Sequence, residues 1–503
     1  MIFVFWAILF KILVGSFTAK YFGASAELDA FLMALTVPTF LMGLISSGTS
    51  FTLLPMLTEA RHKSAGSELS LVSSVLCSTL LINTQLSILG VLAASSICRI
   101  LAPGFSETQL ALTTHLFQFL LPAFLISSVS EIISCQYYVV GKFFLPSFVR
   151  ALSVVILFLV VFLFWRTLGI YSLVLGNIFA AILSPVILFV GLGKALRSEF
   201  NLKNVFQHPE LRIFFRLNIP LFAGMFIYKA IPLFDRWLGS KLAEGSISIL
   251  GYANRLYEIP QFIFISGLTT SLFPVIAAHA NKNETASANR LFEKSIRFVF
   301  FLFIPIAIFL GISGQHLVRV LFEHGRFNAS DAQLTSQVLS LYMIGLPACA
   351  IGGIIGQGYY IKKDILTCTI TNIGAAFLYG GTCLFLLPRF QILAFPIAQS
   401  IYFIFTILLD SFIIQRKHDF KLFNFAIASL WGPLIALIPC IPLLIVINIF
   451  LSSHPILACA CMAFNFLIYL LIQYFVLKSA ELKNLIDFLK SQRPLSMLRN
   501  RLP

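Results

Sequence analysis

"QYYVVGK" at residues 136–142 returns as "GYYIKKD" at residues 358–364, with Tyr138 and Tyr360 222 residues apart. Pro38 and Pro260 are also 222 apart, and Pro55 and Pro274 are 219 apart. "LAPGFSETQLALT" (101–113) has a partner in "FEHGRFNASDAQLT" (322–335), each just ahead of an apolar segment. Several anchors at nearly one offset indicate a duplicated chain.

What is duplicated is a set of membrane spans. Hydrophobic residues make up 59% of the 503, and charged residues only 11%. Mean hydropathy is +0.94. A soluble domain carries about 25% charged residues. Fourteen apolar segments are long enough to span. They lie near 2–18, 27–53, 69–97, 110–138, 143–165, 168–193, 213–237, 248–278, 296–320, 332–360, 365–388, 391–415, 424–451 and 455–477. The predicted fold class is an all-α polytopic membrane protein of about 14 transmembrane helices. It has two pseudo-symmetric six-helix lobes and two C-terminal helices. The N-lobe covers 1–200 (spans one to six), and the C-lobe 201–418 (spans seven to twelve) with a basic inter-lobe linker at its start. Residues 419–503 hold spans thirteen and fourteen and a basic cytoplasmic tail.

The net charge of +15 does not point to nucleic acid, because the basic residues sit in loops between apolar segments. With the N-terminus inside, the outer loops keep only Lys20, Arg99, Arg166, Lys241, Arg326 and Arg389. The remaining loop cations and the tail fall on the cytoplasmic side, which sets N-in and C-in by the positive-inside rule. "MIFVFWAILF" at the start has no basic n-region and no small-residue cleavage site, unlike a secretory signal.

Six spans per copy give both copies one orientation. Transporters with parallel repeats bind substrate between the halves and alternate access. No enzyme is expected: the chain carries no Walker A motif, no HExxH and no Gly-rich nucleotide loop. The nine cysteines lie mostly in apolar segments without metal-ligand spacing to histidine, so neither a metal nor a disulfide framework is expected.

A charge at the centre of a membrane helix costs roughly 2.5–3.5 kcal/mol even on insertion scales, so such residues mark sites. Lys11 is mid-way along span one, Lys229 about four turns into span seven, and Arg255 five residues before Pro260 on span eight. Converging cations suit an anion such as phosphate, which Arg binds as a fork and Lys as a point charge. Internal pairing is the alternative: Glu258 is three residues from Arg255, and Asp235 six from Lys229. Asp29 begins span two, as a helix N-terminal charge or a gate residue. Arg216, Arg236 and Arg297 lie near span ends and can snorkel; Arg150 is left open.

"AKYFGASAELDAFLMALTVP" (19–38) with "SSGTSFTLLPMLTEA" (46–60) resembles the opening of the MurJ/MviN lipid II flippases, within the MOP exporter superfamily. Residues 219–264 resemble that family's seventh and eighth helices, and "LFEHGRFNASDAQLTSQVLSLYMIGLP" (321–347) the segment leading into its tenth. The resemblance implies a fourteen-helix, two-lobed fold with a hydrophilic cavity. It implies a non-enzymatic transporter that moves undecaprenyl-diphosphate-linked peptidoglycan precursor, lipid II, from the inner to the outer leaflet. It also implies a multi-pass protein of the bacterial inner membrane, working in the bilayer beside cell-wall synthesis proteins, as a monomer and without a cofactor. Membrane potential or a monovalent cation would drive the cycle. Flipping of another lipid-linked glycan, of O-antigen or exopolysaccharide type, remains an alternative. So do an ion-coupled multidrug antiporter and a transport-inactive cell-wall partner.

Carried over by residue, the family's helix-eight arginine matches Arg255, and Asn254 stands where an acid usually precedes it. The acids of the "DAF" motif and of the end of helix seven match Asp29 and Asp235. The family's first-helix arginine falls at Val14, its arginine pair in helix two at Met42 and Gly43, and its Glu before Gly at Ser47. The expected substrate set is therefore Arg255, Lys229 and Lys11, with both lysines rebuilding the charge absent at Val14, Met42 and Gly43. The expected gate or ion-coupling set is Asp29, Asp235, Glu258 and Asn254.

Overall fold

The computed structural model describes residues 2–63, 67–192, 208–265, 285–362, 364–418, 423–479 and 482. The N-terminal helices are α1 (Ile2–Phe22), α2 (Ala26–Gly48), α3 (Leu54–Lys63), α4 (Ser67–Leu92) and α5 (Ala94–Leu101). There follow α6 (Glu107–Ser127), α7 (Val129–Val139), α8 (Phe144–Leu168) and α9 (Tyr171–Leu192). Next come α10 (Pro209–Lys229), α11 (Ile231–Gly239), α12 (Ser246–Pro260) and α13 (Thr285–Phe322). The chain continues with α14 (Ala329–Ile361), α15 (Ile365–Phe390), α16 (Ala394–His418), α17 (Phe423–Leu437), α18 (Cys440–Phe450) and α19 (Pro455–Phe475).

Each of the fourteen expected apolar segments falls on helix over its described residues; the end of the sixth, beyond Leu192, and that of the eighth, beyond Ile265, lie outside them. Among the described residues, ten helices are long and apolar enough to cross a membrane, and the bent pair Leu430–Leu437 and Cys440–Phe450 makes an eleventh. One of the ten, Leu366–Lys417, runs through both α15 and α16. Helices serve here because lipid offers no partners for backbone N–H and C=O groups. Side chains close the helix ends: Ser25 accepts from the Leu28 amide, and Ser106 and Gln109 form a reciprocal capping box.

The chain divides into two compact units, residues 1–255 with 321–331, and residues 256–320 with 332–503. The first has a core of Leu53, Leu57, Leu71, Val75, Ile132 and Leu188, where α3, α4, α7 and α9 meet. α10 and α11 pack with this unit, against α2. Packing and sequence repeat are different properties, and the lobe division at residue 200 remains a proposal drawn from the repeat.

The repeat itself is visible atom by atom. Gly169 ends α8 at φ 52, ψ −131, and Gln391, 222 residues on, ends α15 at φ 46, ψ −122. The Ser184 hydroxyl donates to the Ala180 carbonyl, and Thr406 to that of Tyr402, again 222 on. Tyr137 donates to the Leu188 carbonyl at 2.9 Å, and Tyr359 to the Asp410 carbonyl at 3.4 Å.

Candidate functional site: an outer clasp and a cationic face

The site belongs to the first unit. One part of it is built on the turn between α1 and α2. Asp29, in the first turn of α2, is 2% exposed. Its carboxylate accepts from the Gly245 amide at 2.7 Å, the Ser248 amide at 2.7 Å and the Ser248 hydroxyl at 2.5 Å. Those amides open α12 and have no partner within that helix. An anion at a helix N-terminus also meets the favourable end of its dipole. Asp29 is thus more than a charge at the start of its own helix: it caps another one.

The same turn is held from the 322–328 segment. The Arg326 amide donates to the Lys20 carbonyl at 2.9 Å, and Tyr252 donates to the Gly23 carbonyl at 3.1 Å. Gly245 (φ +84) leaves 2.6 Å between a would-be β-carbon and the Ala24 oxygen; Gly325 (φ +64) leaves 2.2 Å to that of Lys20. Only glycine permits both the backbone angle and the approach.

Deeper in, two cations rest on glycines. Lys229 ends α10 with its Nζ and Cδ each 3.8 Å from where a Gly43 β-carbon would stand. Arg255 on α12 brings a guanidinium nitrogen within 3.0 Å of the equivalent point on Gly15 of α1. The guanidinium carbon also lies 5.7 Å from the centre of the buried Tyr252 ring. That ring packs on Phe322 and Phe327, at 5.0 and 5.1 Å between centroids.

Lys11 is exposed and lies one turn before Gly15, on the same face of α1. Val14, which resemblance made the arginine position, is buried at 6%. The structure therefore seats Arg255 against α1 and, separately, Lys229 against α2, and places Lys11 one turn along from Arg255's seat. Asp235 and Asn254 are half-buried on α11 and α12. Glu258 is exposed and lies in the second unit's share of α12.

Sequence reasoning missed the seat of Arg255. Gly15 reads as an ordinary small residue in a span, yet it leaves the room the guanidinium occupies, whereas Gly43 is a position where the resemblance expects arginine, and Lys229 lies against it. It also left Arg150 open, which pairs with Glu131 at 2.7 Å. The pair lines a cavity of about 190 Å³ with Met42, Asn177 and a set of serines, between α2 and α6 to α9. Arg297 pairs with Glu293 on its own helix.

Known proteins share this arrangement of helices. The family model "Lipid II flippase MurJ" matches residues 18–470. A probable lipid II flippase MurJ of Borreliella burgdorferi is 26% identical over 405 residues, 79% of this chain and 78% of its own length. One from Helicobacter pylori is 25% identical over 463 residues, 85% of this chain and 96% of its own. A solved lipid II flippase MurJ in an inward closed conformation superposes with a TM-score of 0.77 at 23% identity, over 95% of this chain and 99% of that one. An inward-facing MATE-family multidrug transporter of the MOP superfamily gives 0.66 at 13% identity, over 83% and 96%. With a family model spanning most of its length, the chain belongs to the MurJ family of lipid II flippases.

Proposed function

We propose that this chain moves lipid II across the membrane, and that Arg255, Lys229 and Lys11 hold its diphosphate. The observation that carries the binding site is the seating of two cations on glycines of α1 and α2. A guanidinium held against α1 and an ammonium held against α2 each suit an anionic oxygen, of which a diphosphate offers several. Lys229 lies over Gly43, one of the positions where the family resemblance calls for arginine, so the charge comes from α10 instead of α2. The chain is a transporter and not an enzyme.

Asp29 with Gly245 and Ser248 acts as the outer gate. Three hydrogen bonds to one buried carboxylate hold the entrance of α2 to that of α12, and opening the outer side requires breaking them. Asp235 and Asn254 lie between the gate and the cations along the chain and tune that region, and Glu258 is a further candidate for ion coupling. The expected setting is the bacterial inner membrane, with the chain a monomer beside cell-wall synthesis proteins and driven by membrane potential or a monovalent cation.

The test is complementation. The chain is expressed in a bacterium depleted of its own lipid II flippase, and outer-leaflet lipid II is assayed, with Arg255→Ala at matched membrane level. Wild type is expected to restore exposure and the variant to fail. Equal rescue by Arg255→Ala would remove the binding role from Arg255. Failure of well-inserted wild type, with lipid-linked sugars of another kind accumulating in the native host's knockout, would move the substrate to that glycan.

A further inference from the structure

Away from the cationic face, one carboxylate stands where the fold does not ask for one. Asp410 lies on α16 inside the apolar stretch Leu366–Lys417 and is 6% exposed. Its counterpart in the first half, 222 residues earlier, is Leu188, 1% exposed in the apolar core. Both positions receive the same tether. A tyrosine 51 residues earlier donates its hydroxyl to the main-chain carbonyl, Tyr137 to Leu188 and Tyr359 to Asp410. The tether uses backbone only, so leucine serves it.

A second exchange accompanies the first. Val149, buried on α8, corresponds to Thr371, buried on α15. Leu188 and Val149 in one half have become an acid and a hydroxyl in the other. Burying an ionisable group among membrane helices is costly, and such groups mark function by default. The scaffold tolerates the apolar pair, as its own first half demonstrates, so packing alone does not account for the polar one.

The surroundings select the ligand. The single Tyr359 proton is shared between the Asp410 main-chain carbonyl and Asp410 Oδ1 at 3.3 Å, and the Thr371 hydroxyl is hydrogen-bonded with the Asp410 carboxyl. The one Thr371 proton has a second acceptor in the Cys368 carbonyl at 3.0 Å. When it turns there, the Thr371 oxygen faces the carboxyl as an acceptor. Two facing acceptors are satisfied by one proton between them. On α15, Cys368 and Asp364 are the titratable neighbours. On α16 itself, Lys417 is bound to Asp364 at 2.8 Å and Thr367 at 2.7 Å, and Arg416 lies over Phe412 at 4.3 Å. Lys417 is seven residues from Asp410, about 10 Å along the helix axis. Among the described residues, the side chains bonded to Asp410 are hydroxyls.

We propose that Asp410 is a proton-binding carboxyl of the transport cycle. Protonated, it donates to Thr371 and accepts from Tyr359, joining α14, α15 and α16. On release the proton passes to water, the Thr371 hydroxyl turns its proton from the Cys368 carbonyl to the carboxylate, and the contact among the three helices is rearranged. Coupling to lipid movement rests on the lipid II reading; protonation does not, and the two are measured separately.

Infrared difference spectra of the purified full chain, titrated in pH, read protonation. Wild type is expected to show a carboxylic C=O band that appears on acidification and is lost in Asp410→Asn and Asp410→Leu. Leu188 already occupies the equivalent place, so Asp410→Leu is expected to fold; Tyr359→Phe should move the midpoint of the band without removing it. In vesicles loaded with lipid II under an imposed pH gradient, wild-type flipping should change several-fold with the gradient, and Asp410→Leu should not respond. A band unchanged in Asp410→Leu, a band displaced by sodium at constant pH, or a wild-type gradient response in the variant would each overturn the proposal. Wild-type vesicles that move no lipid II at any gradient count against the lipid II reading, while the infrared band still decides Asp410.

Discussion

The ammonium of Lys229 lies beside Gly43: a β-carbon on Gly43 would sit 3.8 Å from Lys229 Nζ, in ordinary van der Waals contact. The charge is exchanged between two helices: α2 carries none at this point, and α10 brings the cation. This exchange yields a direct reversal test. Lys229→Gln should reduce lipid II movement in reconstituted vesicles about 10-fold or more, as expected for loss of a charge-assisted contact worth about 1.5–3 kcal/mol. Adding Gly43→Arg to Lys229→Gln should return a substantial part of the rate, because the arginine enters the space Lys229 vacates. A double variant no better than the single one would show that the position of the charge, and not its presence, is what matters.

Asp29 should control the outer clasp. Asp29→Ala removes three charge-assisted bonds and leaves two amides at the start of α12 without their acceptor. Hydrogen exchange at Gly245 and Ser248 should rise by more than about tenfold, since each such bond is worth about 1.5–3 kcal/mol. Ser248→Ala, which removes only the hydroxyl, should have a smaller effect. Unchanged exchange in Asp29→Ala would mean that Gly23, Gly245 and Gly325 lock the turn without it.

Gly48 holds α2 and α10 together by its smallness. A β-carbon there would lie 2.2 Å from Asn218 Oδ1 and 2.4 Å from a Phe222 ring carbon. Asn218 is buried and donates to Thr52 at 2.8 Å and to the Phe214 carbonyl at 2.8 Å, so it has little freedom to move aside. Gly48→Ala should cost about 1–3 kcal/mol, the usual range for overpacking, and lower the thermal unfolding temperature. Neutral substitution would show that α10 can shift away from α2.

Gln391 holds a backbone conformation that its counterpart Gly169 adopts without strain. Gln391→Gly should stabilise the chain by about 1 kcal/mol, the low end of the cost of a residue held in a sparsely populated region. Thermal unfolding of the purified protein reads this directly. A loss of stability would mean that the Gln391 side chain makes a compensating contact.

Much of the fold was legible because bilayer spans are written in long apolar runs, and the duplicate anchors Tyr138 and Tyr360 survive at a fixed offset. Arg255, Lys229 and Asp29 stood out because charge inside such runs is expensive. Gly15 did not stand out, since a glycine in a span carries no mark of what fills the space beside it, while Gly43 stood out only through the arginine that the resemblance expects there. Asp29's true partners were hidden too: Gly245 and Ser248 act through backbone amides, which every residue possesses. The Leu188–Asp410 exchange was readable in principle from the 222-residue offset. It became meaningful only once the shared tyrosine bond showed that the two positions are the same place in the fold.

Diphosphate binding tests the central claim most directly. Native mass spectrometry of the purified chain with lipid II would compare wild type with a variant combining Arg255→Gln, Lys229→Gln and Lys11→Gln, after confirming equal thermal stability. The account predicts that wild type retains the lipid and that the triple variant loses at least about tenfold in affinity, as the removal of charge-assisted contacts requires. Equal retention by the triple variant would contradict it and would place the diphosphate elsewhere in the molecule.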